Sequence, residues 1–388
     1  MFATAVVTAK GANRWAGGHP WIYRSDVQAA PDAPPGAVRV VDTRKRPLGL
    51  ALWSPRSEIS LRLLDRDANA ALDAAWWRTR LSQAIARRRP LMEVTNACRL
   101  VHGEGDGLPS LVCDRYDRWL VMQLNGAGIE AFRDVIVAVM LELTDVDGIL
   151  ARNDASLRAR EGLPRETVLL HGAVPQEIEV REHGVRYLAA PWTGQKTGAF
   201  LDQRDNRIRI GALARGRSLD AFAYHGSFAL HLARQASHVV AVDSSADALA
   251  RARANVALNG LENVECVEAN AFDFLREHER LREQFDTIVL DPPAFAKTKA
   301  ALPTALRGYH EINLRAMRLL SAGGLLFTAS CSFHLTKDRF LEMVTGAAGD
   351  SGRRMILREF WTQPLDHPEV ITIPETGYIK GALLEAGD

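Results

Sequence analysis

Phe285-Asp286-Thr287-Ile288-Val289-Leu290-Asp291-Pro292-Pro293 is an apolar run that ends abruptly in an acid and two prolines. A short apolar run bounded by a turn signal reads as a buried strand, and the prolines forbid its continuation. The sequence on either side keeps the same rhythm. Residues 218–223, 238–242, 264–268 and 325–329 read as further strands, and residues 227–235, 246–259 and 309–320 as the helices between them. Strands that alternate with helices in this way predict a doubly wound α/β domain, placed here over residues 185–388.

In such a sheet ligands sit at the carboxyl ends of the strands, near the point where strand order reverses. The first strand runs into Asp220-Ala221-Phe222-Ala223-Tyr224-His225-Gly226-Ser227, and 17 residues after Gly226 the second strand delivers Asp243. An acid there accepts ribose hydroxyls, or it caps the helix that begins at Ser244-Ser245-Ala246, and the two jobs are compatible. The single glycine lacks the close backbone approach that a dinucleotide pyrophosphate needs. S-adenosylmethionine, which carries no phosphate, fits better. At the fourth strand Asp291-Pro292-Pro293 fixes a carboxylate that can meet the amino edge of a base. At the fifth, Leu325-Leu326-Phe327-Thr328-Ala329 runs into Ser330-Cys331-Ser332. A thiolate at that point can add to carbon 6 of a pyrimidine and make carbon 5 nucleophilic, a push that purine or ribose methylation does not need.

Ahead of this domain, residues 1–74 alternate short β-like pieces with turn clusters and predict a small β domain. Residues 75–184 predict a central α+β region entered by a linking helix that stops at Pro90. Gly103-Glu104-Gly105-Asp106-Gly107-Leu108-Pro109 lies within that region and reads as a structural turn with positive-φ glycines. The chain of 388 residues has a net charge of +1, but the first 100 residues hold 16 Lys and Arg against 8 Asp and Glu. A basic front is the footprint of a polyanion, or the solvated face of an arginine-rich chain. Five of the eight tryptophans (Trp15, Trp21, Trp53, Trp76 and Trp77) stand there among arginines, as stacking platforms for RNA or, for any single one, as core. Composition with 47% hydrophobic and 24% charged residues excludes a disordered or collagen-like chain. No apolar stretch approaches the roughly 20 residues of a membrane helix, and four scattered cysteines form neither a disulfide framework nor a zinc motif. A cytoplasmic address, no membrane and no metal are the expectations.

Several strings together carry a resemblance: Gly18-His19-Pro20-Trp21-Ile22-Tyr23, the Gly103–Pro109 loop, Lys196-Thr197-Gly198-Ala199-Phe200-Leu201-Asp202-Gln203-Arg204-Asp205-Asn206-Arg207, Asp291-Pro292-Pro293 and Ser330-Cys331-Ser332. The chain resembles the class I S-adenosylmethionine-dependent methyltransferases, specifically the ribosomal RNA large subunit methyltransferase I family, over nearly its whole length. The resemblance implies a Rossmann-like methyltransferase domain preceded by a β-barrel PUA-like RNA-binding domain and the central α+β domain. It implies 5-methylcytosine formation in large-subunit ribosomal RNA, with Cys331 and Asp291 catalytic. S-adenosylmethionine is then held by Phe200, Gln203, Arg204, Asp220, Phe222, Tyr224, Gly226, Asp243, Ser244, Asn270, Ala271 and Asp291. The RNA is then met by Lys196, Pro292, Pro293 and Lys297. His225-Gly226-Ser227 departs from the family's Thr-Gly-Gly, which implies a tighter backbone near the methionine moiety. Ala294-Phe295 replaces the second cysteine of related enzymes, so another base or water must release the product. A homodimer, another methyl acceptor (a different nucleotide or a small molecule), and an RNA-binding protein that has lost catalysis stay open.

Overall fold

The computed structural model describes residues 2–296 and 298–387. It divides into two compact units, one of residues 1–182, 189–201 and 365–376, the other of residues 183–188, 202–364 and 377–388.

In the first unit, strands Thr4–Val7, Trp21–Ile22, Val27–Ala29, Gly36–Val41, Pro47–Trp53 and Leu61–Asp65 form one six-stranded sheet. A second sheet holds strands Ala97–His102, Leu111–Tyr116, Trp119–Leu124, Gly148–Asn153 and Glu166–Gly172, hydrogen-bonded in simple chain order. The boundary expected at residue 74 falls inside this unit. The reason is a shared core, in which Leu52 and Leu64 of the first sheet pack in one apolar cluster with Trp77, Leu81, Leu100 and Met122. The helix expected as a linker, Ala74–Ala86, is therefore a core element. Its cap is Asp73, whose side chain accepts the Trp76 amide at 3.0 Å. Trp15, Trp53 and Trp77 are core, whereas Trp21 and Trp76 are half-buried with their indole N–H groups bonded to Glu104 and Asp65.

The glycine-rich loop is structural, as its sequence suggests. Gly103 and Gly107 take φ of +50° and +70°, and the turn they shape presents the Asp106 carboxylate to the buried Arg88 guanidinium at 2.7 and 2.6 Å. Arg88 also donates to the carbonyls of Arg99 and Asp366, both at 2.9 Å, which fixes residues 365–376 into this unit.

The second unit is a seven-stranded sheet. Its strands are β1 (Arg217–Ala221), β2 (His238–Asp243), β3 (Val264–Glu268), β4 (Phe285–Leu290), β5 (Leu320–Ser330), β6 (Met355–Trp361) and β7 (Lys380–Ala386). The helices are α1 (Arg204–Leu213), α2 (Ser227–Leu232), α3 (Ala246–Leu258), α4 (Ala271–Arg280), α5 (Leu302–Leu319) and α6 (Lys337–Ser351). The spatial order is 3-2-1-4-5-7-6, parallel from β3 through β5, with β7 antiparallel to both β5 and β6. Order reverses between β1 and β4, where Ala221 stands opposite Leu290, so the ligand crevice is set at their carboxyl ends. Local chemistry fixes the helices there. Ser245 caps α3 by accepting the Ala248 amide at 3.2 Å, and Asn270 caps α4 by accepting the Phe272 amide at 2.9 Å.

Candidate active site

Asp220 ends β1 almost wholly buried. One carboxylate oxygen accepts the Ala229 amide of α2 at 2.9 Å, and the other, Oδ1, has no hydrogen-bond partner among the described residues. Burial pushes its carboxyl well above the usual carboxylate range. The Ala229 bond opposes this, the charges of Asp291 and Asp243 add to it, and Arg207 opposes it. Three acids from three strand ends and a buried arginine of α1 thus share one electrostatic neighbourhood.

The turn after β1 is held in an uncommon backbone. Phe222, Tyr224 and Gly226 take φ of +69°, +51° and +81°, two of them residues with side chains that ordinarily avoid this region. Asp243 stabilises the turn by accepting the Tyr224 amide at 2.8 Å on one oxygen and the Ser245 amide at 2.9 Å on the other. A Cβ at Gly226 would stand 3.2 Å from that of Ala252, so the glycine answers both the φ and the close approach to α3. His225 is 1% exposed and stacks on Tyr187, with ring centres 5.2 Å apart. Ser244 and Asn270 are exposed at the ends of β2 and β3, and Ala271 is buried. Phe222 lies edge-on to Phe272 and Phe295, with ring centres 6.3 Å away in each case, which makes an apolar lining beside these polar groups.

Asp291 follows β4 directly. Its Oδ1 accepts the Gln203 amide at 2.8 Å, and Gln203 in turn accepts from Asn206 of α1 at 2.7 Å. Pro292 is buried and Pro293 exposed. Arg204 is fully buried, with its Nε bonded to Asp205 at 3.2 Å. Lys196 and Phe200 belong to the first unit, where the Lys196 ammonium lies 4.7 Å over the Phe200 ring. Lys297 lies outside the described residues.

Cys331 follows β5 and is partly exposed. None of the four cysteines forms a disulfide, and Cys98 and Cys113 are buried. The backbone around Cys331 is pinned from several directions. The Tyr309 hydroxyl of α5 bonds Ser330 Oγ at 3.0 Å and Ser332 Oγ at 2.9 Å, and the Ala296 amide donates to Ser332 Oγ at 3.2 Å. Lys380, at the start of β7, donates to the Ser332 and Tyr378 carbonyls, both at 2.8 Å. Burial pushes the Tyr309 phenol up, so it stays protonated as a donor. Sequence reading missed Tyr309 and Lys380. Neither stands in a motif, and each reaches the site only through the register of an element distant in the chain.

The residues fit S-adenosylmethionine: a carboxylate at Asp243 for ribose hydroxyls, an unpartnered buried oxygen at Asp220, and an aromatic lining beside them. Among the described residues no cluster of three or more His, Cys, Asp or Glu could hold a metal ion, and no helix is long and apolar enough to cross a membrane.

Comparison with known proteins agrees with this geometry. A family model for a PUA-like domain matches residues 5–66, and one for S-adenosylmethionine-dependent methyltransferases matches residues 158–372. The chain is 40% identical over 372 residues to a ribosomal RNA large subunit methyltransferase I of Shewanella amazonensis, covering 94% of each chain. It is 38% identical to the protein of that name from Klebsiella pneumoniae, covering 94% of this chain and 93% of that one. In fold it is similar to a Streptococcus mutans structure assigned to SAM-dependent methyltransferases, with a TM-score of 0.83 at 20% identity over 99% of this chain and all of that one. It is also similar to a methyltransferase-like crystal structure complexed with SAH, with a TM-score of 0.85 at 20% identity and the same coverage.

Proposed function

The chain belongs to the ribosomal RNA large subunit methyltransferase I family of S-adenosylmethionine-dependent methyltransferases, and from that premise we propose that it methylates carbon 5 of a cytosine in large-subunit ribosomal RNA through a covalent adduct on Cys331. One observation carries the reading. Asp291 and Cys331 leave neighbouring parallel strands, β4 and β5, paired in a register that sets Leu290 opposite Thr328. An acid and a thiol therefore emerge together at the carboxyl edge of the sheet, beside the acids that hold the cofactor.

S-adenosylmethionine supplies an electrophilic methyl group on a sulfonium. Asp243 takes the ribose hydroxyls, Asn270 and Ala271 border the adenine with Phe222, and Asp220, Tyr224, Gly226 and Ser244 shape the rest of that cradle. Phe200, Gln203 and Arg204 border it from the chain before β1. Lys196, Pro292 and Pro293 meet the RNA. Asp291, oriented by Gln203, accepts a hydrogen bond from the exocyclic amino group of a cytosine extruded from its stack. The Cys331 thiolate adds to carbon 6, and the ring electrons gather at carbon 5, which becomes the nucleophile for the methyl group. A base or water then removes the carbon-5 proton, and the electrons of that C–H bond re-form the 5,6 double bond as the thiolate leaves. Tyr309 and Lys380 hold the Ser330–Ser332 backbone that aims the thiol.

Mass spectrometry of nucleosides from undermodified large-subunit ribosomal RNA, incubated with labelled S-adenosylmethionine, tests this directly. The native chain is expected to form 5-methylcytidine and Cys331→Ala none, while both bind S-adenosylhomocysteine. Label on another nucleoside, or full activity of Cys331→Ala, would overturn the covalent mechanism.

A further inference from the structure

Two of the strings that carry the resemblance take no part in the chemistry above, yet the fold brings them together. The Trp21 indole donates to the Glu104 carboxylate at 2.9 Å, which joins Gly18–Tyr23 to the glycine-rich loop. Both residues line a cavity of about 580 Å³ built wholly within the first unit, a size that suits a small ligand.

The lining has a definite chemical order. Arg56 and Arg160 stand exposed at the rim and enter no ion pair among the described residues. Apolar surface comes from Trp21, Ile59, Val112 and Leu157. Deeper, Arg62 and Glu161 neutralise each other at 3.1 Å, and Glu161 also accepts the Ala127 amide at 3.2 Å. Asn125 Oδ1 is buried with no hydrogen-bond partner among the described residues. A ligand that satisfies this site brings an anion for the rim, a flat apolar face for the walls, and N–H donors for Asn125 and Glu104.

We propose that the cavity binds one unstacked nucleotide of the RNA substrate, distinct from the methylated one, whose base carries an exocyclic amino group. The inference rests on the RNA substrate assigned above. Its phosphate meets Arg56 and Arg160, its base lies against Trp21, and its amino group donates to Asn125 Oδ1. Uracil, with a carbonyl in place of the amino group, offers that oxygen no donor from its exocyclic position.

Fluorescence anisotropy with the full-length chain tests this, using a labelled single strand of about 20 nucleotides, long enough to span several contacts, in mixed sequence and as an all-uracil control. The double variant Arg56→Ala/Arg160→Ala is expected to bind the mixed RNA at least about tenfold more weakly. Its salt slope should fall by about 0.7, because the two arginines meet one phosphate and each single-strand phosphate neutralised contributes about 0.7. The native chain should prefer mixed over all-uracil RNA, and Asn125→Leu should narrow that preference. Unchanged calorimetric binding of S-adenosylhomocysteine shows that the variants are folded. A double variant within twofold of the native chain, or equal native affinity for the two RNAs, overturns the proposal and leaves the methyltransferase reading standing. A native chain that binds neither RNA overturns both.

Discussion

Tyr309→Phe isolates one atom that joins the two strand ends of the active site. The phenol uses its full capacity of one donated and two accepted bonds: Ser330 Oγ at 3.0 Å, Ser332 Oγ at 2.9 Å and the Phe295 amide at 3.4 Å. Phenylalanine keeps the ring and its 4.6 Å packing on Phe295, so only the polar link is lost. Ser332 Oγ retains the Ala296 amide, and Ser330 Oγ retains the Ser332 amide it accepts while losing the acceptor of its own hydroxyl hydrogen. Two good bonds at about 1 kcal/mol each, with little for the long third, give a loss of about 2 kcal/mol. For a unit of this size that lowers Tm by roughly 4–8 °C. The same hydroxyl ties the segment after Asp291-Pro292-Pro293 to the backbone on both sides of Cys331, so its loss lets acid and thiol shift relative to each other. Displacements near 1 Å cost on the order of 100-fold in rate, and a fall of about 10- to 100-fold in single-turnover methyl transfer is expected. Thermal unfolding by circular dichroism and transfer of labelled methyl to ribosomal RNA read the two quantities on one preparation. A lower Tm with the native rate would make Tyr309 a packing residue only. Native values of both would refute the linkage itself.

Asp243→Ala removes the acceptor proposed for ribose and the partner of the Tyr224 and Ser245 amides; losing about 2 kcal/mol of charge-assisted bonding predicts roughly 30-fold weaker S-adenosylhomocysteine binding by calorimetry, and affinity within threefold of native would take Asp243 out of that role. Asp220→Asn tests a pH dependence. Burial raises the folded-state pKa of Asp220 above its unfolded value, so its protonated form contributes stability that is complete below about pH 4 and is lost as pH rises toward the folded value. The neutral amide should flatten the decline of Tm from pH 4 upward, and parallel curves for the two proteins would show that Asp220 is ionised when folded. Arg88→Met leaves the Asp106 carboxylate inside the first unit with the half-exposed Arg87 and the His102 amide, and a loss near the lower end of the 3–5 kcal/mol typical of a broken buried pair is expected. Limited proteolysis should then cut within residues 365–376, where Ile371 is 98% exposed; unchanged resistance would show that other contacts hold the segment.

The second unit was legible because its signals are local. Apolar runs such as His238–Asp243 and Phe285–Leu290 form buried parallel strands, and Ser245 and Asn270 cap their helices from the next residue in the chain. Acids and the cysteine at strand ends were legible for the same reason, since the fold dictates which end faces ligand. The front of the chain was less so. Its tryptophans sit among arginines in sequence, but whether a ring is core or surface depends on a partner sheet, and Trp15, Trp53 and Trp77 proved to be core. The packing across the boundary expected at residue 74 was not legible either, because Leu52 and Leu64 find their neighbours beyond it.

By itself, then, the order of residues determined the parallel strands and several of the helices of the second unit and which acids and which cysteine stand at strand ends, all properties that period, capping and chain direction carry within a few residues. Only the tertiary structure decided what surrounds them. The Tyr309 and Lys380 supports of Cys331, the raised pKa of the buried Asp220, and the meeting of Trp21 with Glu104 arise from long-range register and burial, and neither leaves a trace in local spacing.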